Sequence, residues 1–321
     1  MLRSRRTREK GSFRGMELLV AAAVFVVLLT CGNVDAKSRG QKIFSSPGEA
    51  VKAMVDAVKT DDTKSLLTIF GFGSKAIILS GDPVEDEAGR AWFIKHYEEK
   101  NRLEEASGKV TLHAGNDDWP FPIPIVKAEN GWRFDTAAGQ EEILARRVGR
   151  NELNAIQVCL AYVDAQKDYA MKKGRQGNGL LEYAQKFVST PGKQDGLYWE
   201  AGEGEEPSPM GPLFAAAREE GYGERPLRGR ATPYHGYFYR ILKAQGKNAS
   251  GGAHDYVVGD KMIGGFALIA YPARYGSSGV MTFIVNQGGV VRQKDLGKET
   301  RKAARAMKVF DPDQTWVRAP E

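Results

Sequence analysis

The histidines are the first residues to test for chemistry, because imidazole binds metals and transfers protons near neutral pH. The chain has four of them, His96, His113, His235 and His254. No two are close enough in sequence to indicate a shared metal site, and no recognised zinc, phosphate-loop or nucleophile motif is present. The sequence therefore predicts no metal site, no cofactor and no catalytic residue, and it favours a non-enzymatic role while leaving enzyme activity open.

A second group of candidates lies in the aromatic tract Tyr234–Arg240. Aromatic residues favour strands, and strand alternation would put His235, Tyr237 and Tyr239 on one face. Because tyrosine and arginine are enriched at binding hot spots, this face is a candidate interaction surface, and packing of the tract in the core is the alternative. The basic segment Lys298–Lys308 is predicted to be a helix that is either a solvated face or a contact for a membrane or an anionic polymer.

Cysteine chemistry is not indicated. Of the two cysteines, Cys159 lies between Val158 and Leu160 in a helical pattern, without a cation nearby to stabilise a thiolate. We therefore expect Cys159 to be buried and inert. The acidic cluster at 82–87 is interpreted as favourable charge at the start of a helix, with cation binding as the alternative.

Residues 1–36 have the organisation of an export signal. A basic segment precedes Leu18–Thr30, a run of thirteen residues without charge. This run is shorter than the about 20 residues of a membrane span and suits a signal peptide. Val34–Ala36 supplies a cleavage site, so the mature chain is predicted to begin at Lys37, to be periplasmic or extracellular, and to lack a membrane span.

Alternatives to a cleaved signal stay open at this stage. Lipidation of Cys31 would attach the chain to a membrane, an uncleaved apolar segment would anchor it, and translation could instead begin at Met16. The segment also matters for the charge balance, because residues 1–36 hold +3 of the net charge of +6. Since the rest of the chain carries only +3, we expect no binding to nucleic acid.

Hydrophobic patterns predict an α+β protein with two domains, which suits a length of 321 residues. In the first domain, residues 37–145, helices begin at Ser46-Pro47 and extend to a helical pattern at 86–105. Strands follow at 109–114 and around the hairpin signal Asn130-Gly131. Helices followed by an antiparallel sheet make this domain an α+β unit.

The second domain, residues 146–321, is predicted to be a long helix followed by an antiparallel sheet. Its helical pattern is interrupted at Gly149, where we expect a break or a bend and therefore the domain boundary. The segment 189–212 is rich in Gly, Pro and Glu and is predicted to be an irregular loop. Strand patterns then recur up to the helical segment at 298–308.

Several stretches of the chain resemble a known family. These stretches are Tyr234–Tyr237, Gly264–Gly276, Val280–Asn286, Lys294–Gly297 and Phe310–Trp316. Through them the chain resembles the bacterial exported family named domain of unknown function 2950, over nearly all of the mature chain. The resemblance implies export, and it implies no activity, cofactor or catalytic residue.

Two more distant resemblances concern the separate domains. Residues 45–135 are similar in element order to the nuclear-transport-factor-2-like, or cystatin-like, cone. That cone implies a ligand site at its mouth, for which Trp92, His96 and His113 are the candidates; the alternative puts Trp92 in the core and the histidines at the surface. Residues 150–296 look like a pseudopilin head, although a whole domain here precedes the long helix, which does not fit polymerisation into a pilus.

Two functional hypotheses from different classes follow. The favoured one is a non-enzymatic interaction or structural module of the cell envelope, whose partner is an envelope protein or a surface polymer. The other is a small-ligand-binding protein or an enzyme that uses the cavity of the N-terminal domain. A deep polar pocket with converging His, Asp or Arg side chains would favour the second hypothesis, and a cone filled by aromatic side chains would favour the first.

Overall fold

The computed structural model describes residues 40–176, 181–202, 204–222 and 232–320. The predicted signal peptide, the predicted start at Lys37 and the alternatives at Cys31 and Met16 lie outside the described residues. From Gln41 onward the chain forms one compact unit. Among the described helices, none is both long and apolar enough to cross a membrane.

The N-terminal half combines four helices with an antiparallel sheet, which confirms the α+β class. The helices are α1 (Pro47–Lys59), α2 (Thr63–Phe70), α3 (Lys75–Ile78) and α4 (Pro83–Glu99). The strands are β1 (Asn101–Ala106), β2 (Lys109–Ala114), β3 (Trp119–Pro120), β4 (Ile125–Ala128) and β5 (Gly131–Phe134). The sheet has the order β1-β2-β4-β5, and β3 also pairs with β2.

Local sequence signals explain where α1 begins and where the β4–β5 hairpin turns. The Ser46 hydroxyl accepts the N–H of Glu49 at 3.2 Å, and Pro47 occupies the first helical position. At the hairpin, Gly131 has a φ of 145°, and a Cβ there would lie 2.2 Å from the carbonyl oxygen of Phe44. Only glycine fits this position, because the backbone of Phe44 approaches it closely. The predicted hairpin is confirmed by the pairing of β4 with β5.

Residues 101–105 form a strand, so their prediction as the end of a helix is wrong. The helix α4 ends at Glu99, and β1 pairs with β2 from Asn101↔Ala114 to Ala106↔Lys109. Ser107 and Gly108 join the two strands with left-handed φ angles of 52° and 73°. Such a turn matches the twist of the two strands of a hairpin. Residues 101–106 are charged and lack the alternation of a strand, so it is their pairing with β2 that makes them a strand.

The C-terminal half is built on one long helix and one main sheet. Its helices are α5 (Thr136–Gln176), α6 (Gly211–Glu219) and α7 (Thr300–Ala306). Its strands are β6 (Tyr237–Leu242), β7 (Ala244–Gln245), β8 (His254–Asp255), β9 (Val257–Val258), β10 (Lys261–Met262), β11 (Ala267–Pro272), β12 (Met281–Asn286), β13 (Arg292–Asp295) and β14 (Val317–Arg318). The main sheet is antiparallel with the order β14-β13-β12-β11-β6, and the other strands form two short pairs.

The long helix α5 connects the two halves without interruption. Gly149 is helical, so the break expected there is absent. The buried apolar residues nevertheless form two clusters, one within residues 44–134 and one within residues 155–319. The predicted domains 37–145 and 146–321 therefore share one helix, and their independence as folding units stays a prediction. The segment 189–212 is irregular until α6 begins, as far as its residues are described.

Asp82 joins the two halves at the start of α4. It is fully buried, and its Oδ1 accepts the N–H groups of Val84 at 3.2 Å and Glu85 at 3.4 Å. Its Oδ2 accepts the N–H of Gly236 and the hydroxyl of Tyr222, both at 2.9 Å. Burial raises the pKa of this carboxyl even though the hydrogen bonds from Gly236, Tyr222 and Glu85 oppose the shift. Within the described parts of the chain, no group of three or more His, Cys, Asp or Glu side chains could hold a metal ion.

Two glycines of α5 provide a matched test of how this helix packs. Gly149→Ala is expected to stabilise the protein by up to about 1 kcal/mol, because alanine is the better helix former and no atom lies within 4 Å of the added Cβ. At Gly139 the added Cβ would lie 2.4 Å from the carbonyl oxygen of Pro122. Gly139→Ala is therefore expected to cost about 1–3 kcal/mol. Chemical denaturation measures both, and changes of the same sign would contradict the packing of α5 on Pro122.

Candidate functional site

A cavity of about 340 Å³ opens between the helices of the N-terminal half and the first turns of α5. The helices α1 to α4 contribute to its walls, together with β3 and the segment after β3. The apolar lining residues are Met54, Val58, Leu66, Phe70, Ile77, Ile78, Trp92, Phe93, Trp119, Phe121, Pro122, Ile123 and Ile143. A cavity of this volume with mostly apolar walls falls within the range of small-molecule sites.

Aromatic rings on one side of the cavity pack against one another and leave the cavity open. The ring centroids of Phe93 and Phe121 are 5.6 Å apart, and those of Trp119 and Phe121 are 6.1 Å apart. Trp92 meets Trp119 edge to face at 5.1 Å. These distances are typical of favourable aromatic pairs, so the rings form a wall of the cavity and do not fill it.

The charged residues that line the cavity are one aspartate and four arginines. They are Asp86, Arg90, Arg146, Arg147 and Arg150. The described lining contains no Ser, Thr, Cys, His or Lys. Three of the arginines lie on α5, where Arg146, Arg147 and Arg150 follow Ile143 at spacings of three, four and seven residues. These spacings place the three arginines and Ile143 on one face of the helix.

Three of these arginines pair with carboxylates that do not line the cavity. The pairs are Arg90–Asp61 at 3.1 Å, Arg146–Glu142 at 2.6 Å and Arg150–Glu85 at 2.6 Å. A guanidinium has five N–H donors, so each of these arginines keeps donors for a second anion. These ion pairs hold the guanidinium groups in place, and the carboxylate of each pair lies outside the cavity lining.

Arg147 differs from the other three because its partners are backbone carbonyls. Its Nη1 donates to the carbonyl of Ala76 at 2.8 Å and its Nη2 to that of Ile77 at 2.6 Å. Among the described residues, no carboxylate lies within ion-pair distance of it. Burial lowers the pKa of the Arg147 guanidinium against the attraction of Asp86, whose carboxylate accepts the N–H of Ser80 at 3.0 Å. An anion in the cavity would supply a counter-charge in direct contact with the guanidinium.

Of the three residues predicted to bind a ligand, only Trp92 lines the cavity. Its ring lies 3.9 Å from that of His96, centroid to centroid, and the Nδ1 of His96 is 2.8 Å from the Trp92 carbonyl oxygen. His113 lies on β2 in a surface network, with its Nδ1 3.4 Å from Asp118 and its Nε2 3.5 Å from Glu104. The structure therefore places the two histidines beside the cavity's aromatic wall or on the sheet, and not in the cavity lining.

The aromatic tract does not form the exposed face that alternation predicts. His235 has a left-handed φ of 47° and lies in the turn before β6, so the strand begins only at Tyr237. Tyr237 is fully buried and donates its hydroxyl to the carbonyl of Met281 at 2.9 Å. The Tyr239 hydroxyl is buried as well. His235 is partly exposed and pairs with Glu220 at 3.2 Å. Tyr239 is half-buried and packs with Tyr237 against the core of the C-terminal half, because β6 belongs to the main sheet.

The cavity arginines are the functional candidates that the sequence analysis missed. Their signal is the spacing Ile143, Arg146, Arg147, Arg150, which marks one face of a helix. The spacing does not predict which residues lie opposite this helix face, because the opposite walls of the cavity come from the four helices α1 to α4. Cys159, in contrast, is buried as predicted, and burial raises the pKa of its thiol to about 12.

Comparisons with known proteins give one match. A family model described as "Protein of unknown function (DUF2950)" matches residues 41–319, which confirms the family resemblance drawn from the sequence. No curated protein and no solved structure matches the chain. The cystatin-like and pseudopilin resemblances of the two halves stay predictions.

Proposed function

The chain belongs to the DUF2950 family of proteins of unknown function, and we propose that it is an exported, non-enzymatic protein that binds a small amphipathic anion in the cavity of its N-terminal half. The observation that carries the proposal is the guanidinium of Arg147, which lines a mostly apolar cavity and has no carboxylate within ion-pair distance among the described residues. Export rests on the predicted signal peptide at residues 1–36.

The chemistry of the lining selects the ligand class. Apolar walls form no hydrogen bonds with the hydroxyl groups of a sugar, and burial of hydroxyl groups without hydrogen bonds is unfavourable. Arginine forms paired hydrogen bonds with carboxylate, phosphate or sulfonate groups. A molecule with an apolar body and one anionic group satisfies both parts of the cavity.

The same lining supports binding over catalysis. Its ionisable groups are Asp86 and the four arginines, so no nucleophile stands next to a base among the lining residues. Asp86 is engaged with the backbone of Ser80. Binding of this kind is the ligand-binding alternative drawn from the sequence, taken here without enzyme activity; it keeps the non-enzymatic part of the favoured hypothesis and replaces its macromolecular partner by a small molecule.

The test is a variant that fills the mouth of the cavity, Gly89→Phe. Gly89 lies on the same face of α4 as Asp86, Arg90 and Phe93, and no atom lies within 4 Å of a Cβ added there. Gly149→Phe is the matched control, since Gly149 is also helical and open but does not line the cavity. We expect anilinonaphthalene sulfonate to bind the wild type and Gly149→Phe alike, and to bind Gly89→Phe at least about 10-fold more weakly, which is a loss of about 1.4 kcal/mol.

Competition identifies the ligand class. Dodecanoate is expected to displace the bound probe at lower concentration than dodecanol, because only dodecanoate carries a charge for the arginines. Equal displacement by the two compounds would contradict the anionic part of the proposal. Equal probe affinity in Gly89→Phe and Gly149→Phe would contradict the cavity as the site.

A further inference from the structure

The segment 298–308, which contains α7, carries the strongest concentration of positive charge in the described chain. It holds five cations and one carboxylate, Glu299, and therefore has a net charge of +4. The rest of residues 37–321 sums to −1. The cations are Lys298, Arg301, Lys302, Arg305 and Lys308, and all five are exposed. We call this set the α7 cationic patch.

The carboxylates near the α7 cationic patch form no ion pairs with it among the described residues. None of its five cations forms an ion pair with a described residue, whereas lysines and arginines elsewhere form many. The flanking acids are engaged by neutral donors instead. Asp295 accepts the N–H of Gly297 at 2.7 Å, Asp311 accepts that of Asn248 at 2.7 Å, and Asp313 accepts that of Thr315 at 2.9 Å.

The fold holds α7 firmly while its charged side chains face outwards. Thr300 and Ala304 are buried, and the helix packs against β11 of the main sheet. Arg240 donates to the carbonyls of Ala304 at 2.7 Å and Met307 at 2.6 Å, which satisfies the last turn of the helix. Arg301 lies over the ring of Phe238 at 5.3 Å.

The three cations within the helix point to one side. At about 100° per residue, Arg301, Lys302 and Arg305 fall within an arc of about 100°. A helix that lies on the outside of a sheet presents such an arc as a convex surface. A convex cationic surface fits a broad, flat anionic surface better than a single polymer strand, which binds in a groove.

We infer that the α7 cationic patch docks the protein onto an anionic lipid bilayer. The partner is identified by charge complementarity, since clusters of four to eight basic residues near a bilayer bind its acidic headgroups. The inference does not depend on the ligand of the cavity, because α7 belongs to the C-terminal half and contributes no residue to the cavity lining.

Vesicle sedimentation with the full chain tests this inference. The vesicles are phosphatidylcholine with or without phosphatidylglycerol. The variant is the triple change Arg301→Gln, Lys302→Gln and Arg305→Gln, and the control is the triple change Lys64→Gln, Lys109→Gln and Lys247→Gln. The control removes the same charge from exposed positions elsewhere. The apolar segment before residue 36 is the same in every form, so differences report on α7.

We expect the wild type and the control to bind anionic vesicles alike and the α7 triple variant to bind about 100-fold more weakly, from about 1 kcal/mol for each cation. Because surface charges are screened, the difference should disappear in about 1 M salt. Equal binding of the two triple variants would overturn the inference. So would wild-type binding to dextran sulfate without a preference for anionic over neutral vesicles.

Discussion

Replacement of Asp82 by alanine is expected to lower the free energy of unfolding by at least about 3 kcal/mol, the lower end of the sum of a lost helix cap and lost bonds between the two halves. The cap of α4 accounts for about 1 kcal/mol. The N–H of Gly236 and the hydroxyl of Tyr222 would also lose a buried acceptor, and each unsatisfied buried group costs about 1–3 kcal/mol. Equilibrium denaturation followed by circular dichroism measures the loss.

Two further variants separate the cap from the junction. Asp62 caps α2 by accepting the N–H of Ser65 at 3.0 Å, but it is exposed, so Asp62→Ala is expected to lose less stability. Asp82→Asn keeps an oxygen for the cap and places an amide N–H against the donors of Gly236 and Tyr222. Its loss should fall between the other two. If Asp82→Ala cost no more than Asp62→Ala, Asp82 would not be joining the halves.

The C-terminal half also contacts α3, a short helix that contributes to the cavity wall. Ile77 and Ile78 of this short helix line the cavity. Ser277 donates its hydroxyl to the carbonyl of Ala76 at 2.8 Å, and Arg274 donates to that of Leu79 at 2.6 Å. One wall of the cavity is therefore held by the C-terminal half. For this reason we expect the proposed ligand binding to require the intact chain, since a fragment ending at residue 145 would lack part of what shapes the cavity.

Elements with local signals were the ones that the sequence predicted well. The cap at Ser46-Pro47 and the hairpin at Asn130-Gly131 each depend on residues next to one another in the chain, and both formed as expected. The strand β1 depends on pairing with β2, and its charged, exposed sequence contains no alternation. Likewise, no local pattern indicates that His235 adopts a left-handed turn, which moves the start of β6 to Tyr237.

The candidate site was less predictable than the fold because no single segment forms it. Trp92, His96 and His113 are candidates because the resemblance to a cone-like fold implies a ligand site at its mouth. Trp92 lines the cavity, whereas His96 and His113 lie outside its lining, and a ligand role for any of the three stays a prediction. The arginines of α5 were recognisable as a stripe, but only the arrangement of the opposite helices shows that the stripe meets apolar walls.

Arg147→Met is expected to weaken binding of dodecanoate by about 10–100-fold, which is what the loss of a hydrogen bond to a charged group costs. The affinity for dodecanol should change much less, because methionine keeps the apolar walls and dodecanol carries no charge. Arg147→Lys retains the charge and is expected to lose less. Arg146→Met should also lose less, since Arg146 is exposed and already pairs with Glu142 at 2.6 Å.

The comparison between dodecanoate and dodecanol separates charge recognition from the support that Arg147 gives to α3. Removing its bonds to the carbonyls of Ala76 and Ile77 could shift α3 and distort the cavity for every ligand. A distorted cavity would weaken both compounds equally, whereas a lost counter-charge weakens dodecanoate alone. Equal weakening would therefore assign Arg147 to the structure of the wall. Selective weakening, restored in part by Arg147→Lys, would identify its charge as the anion-binding group.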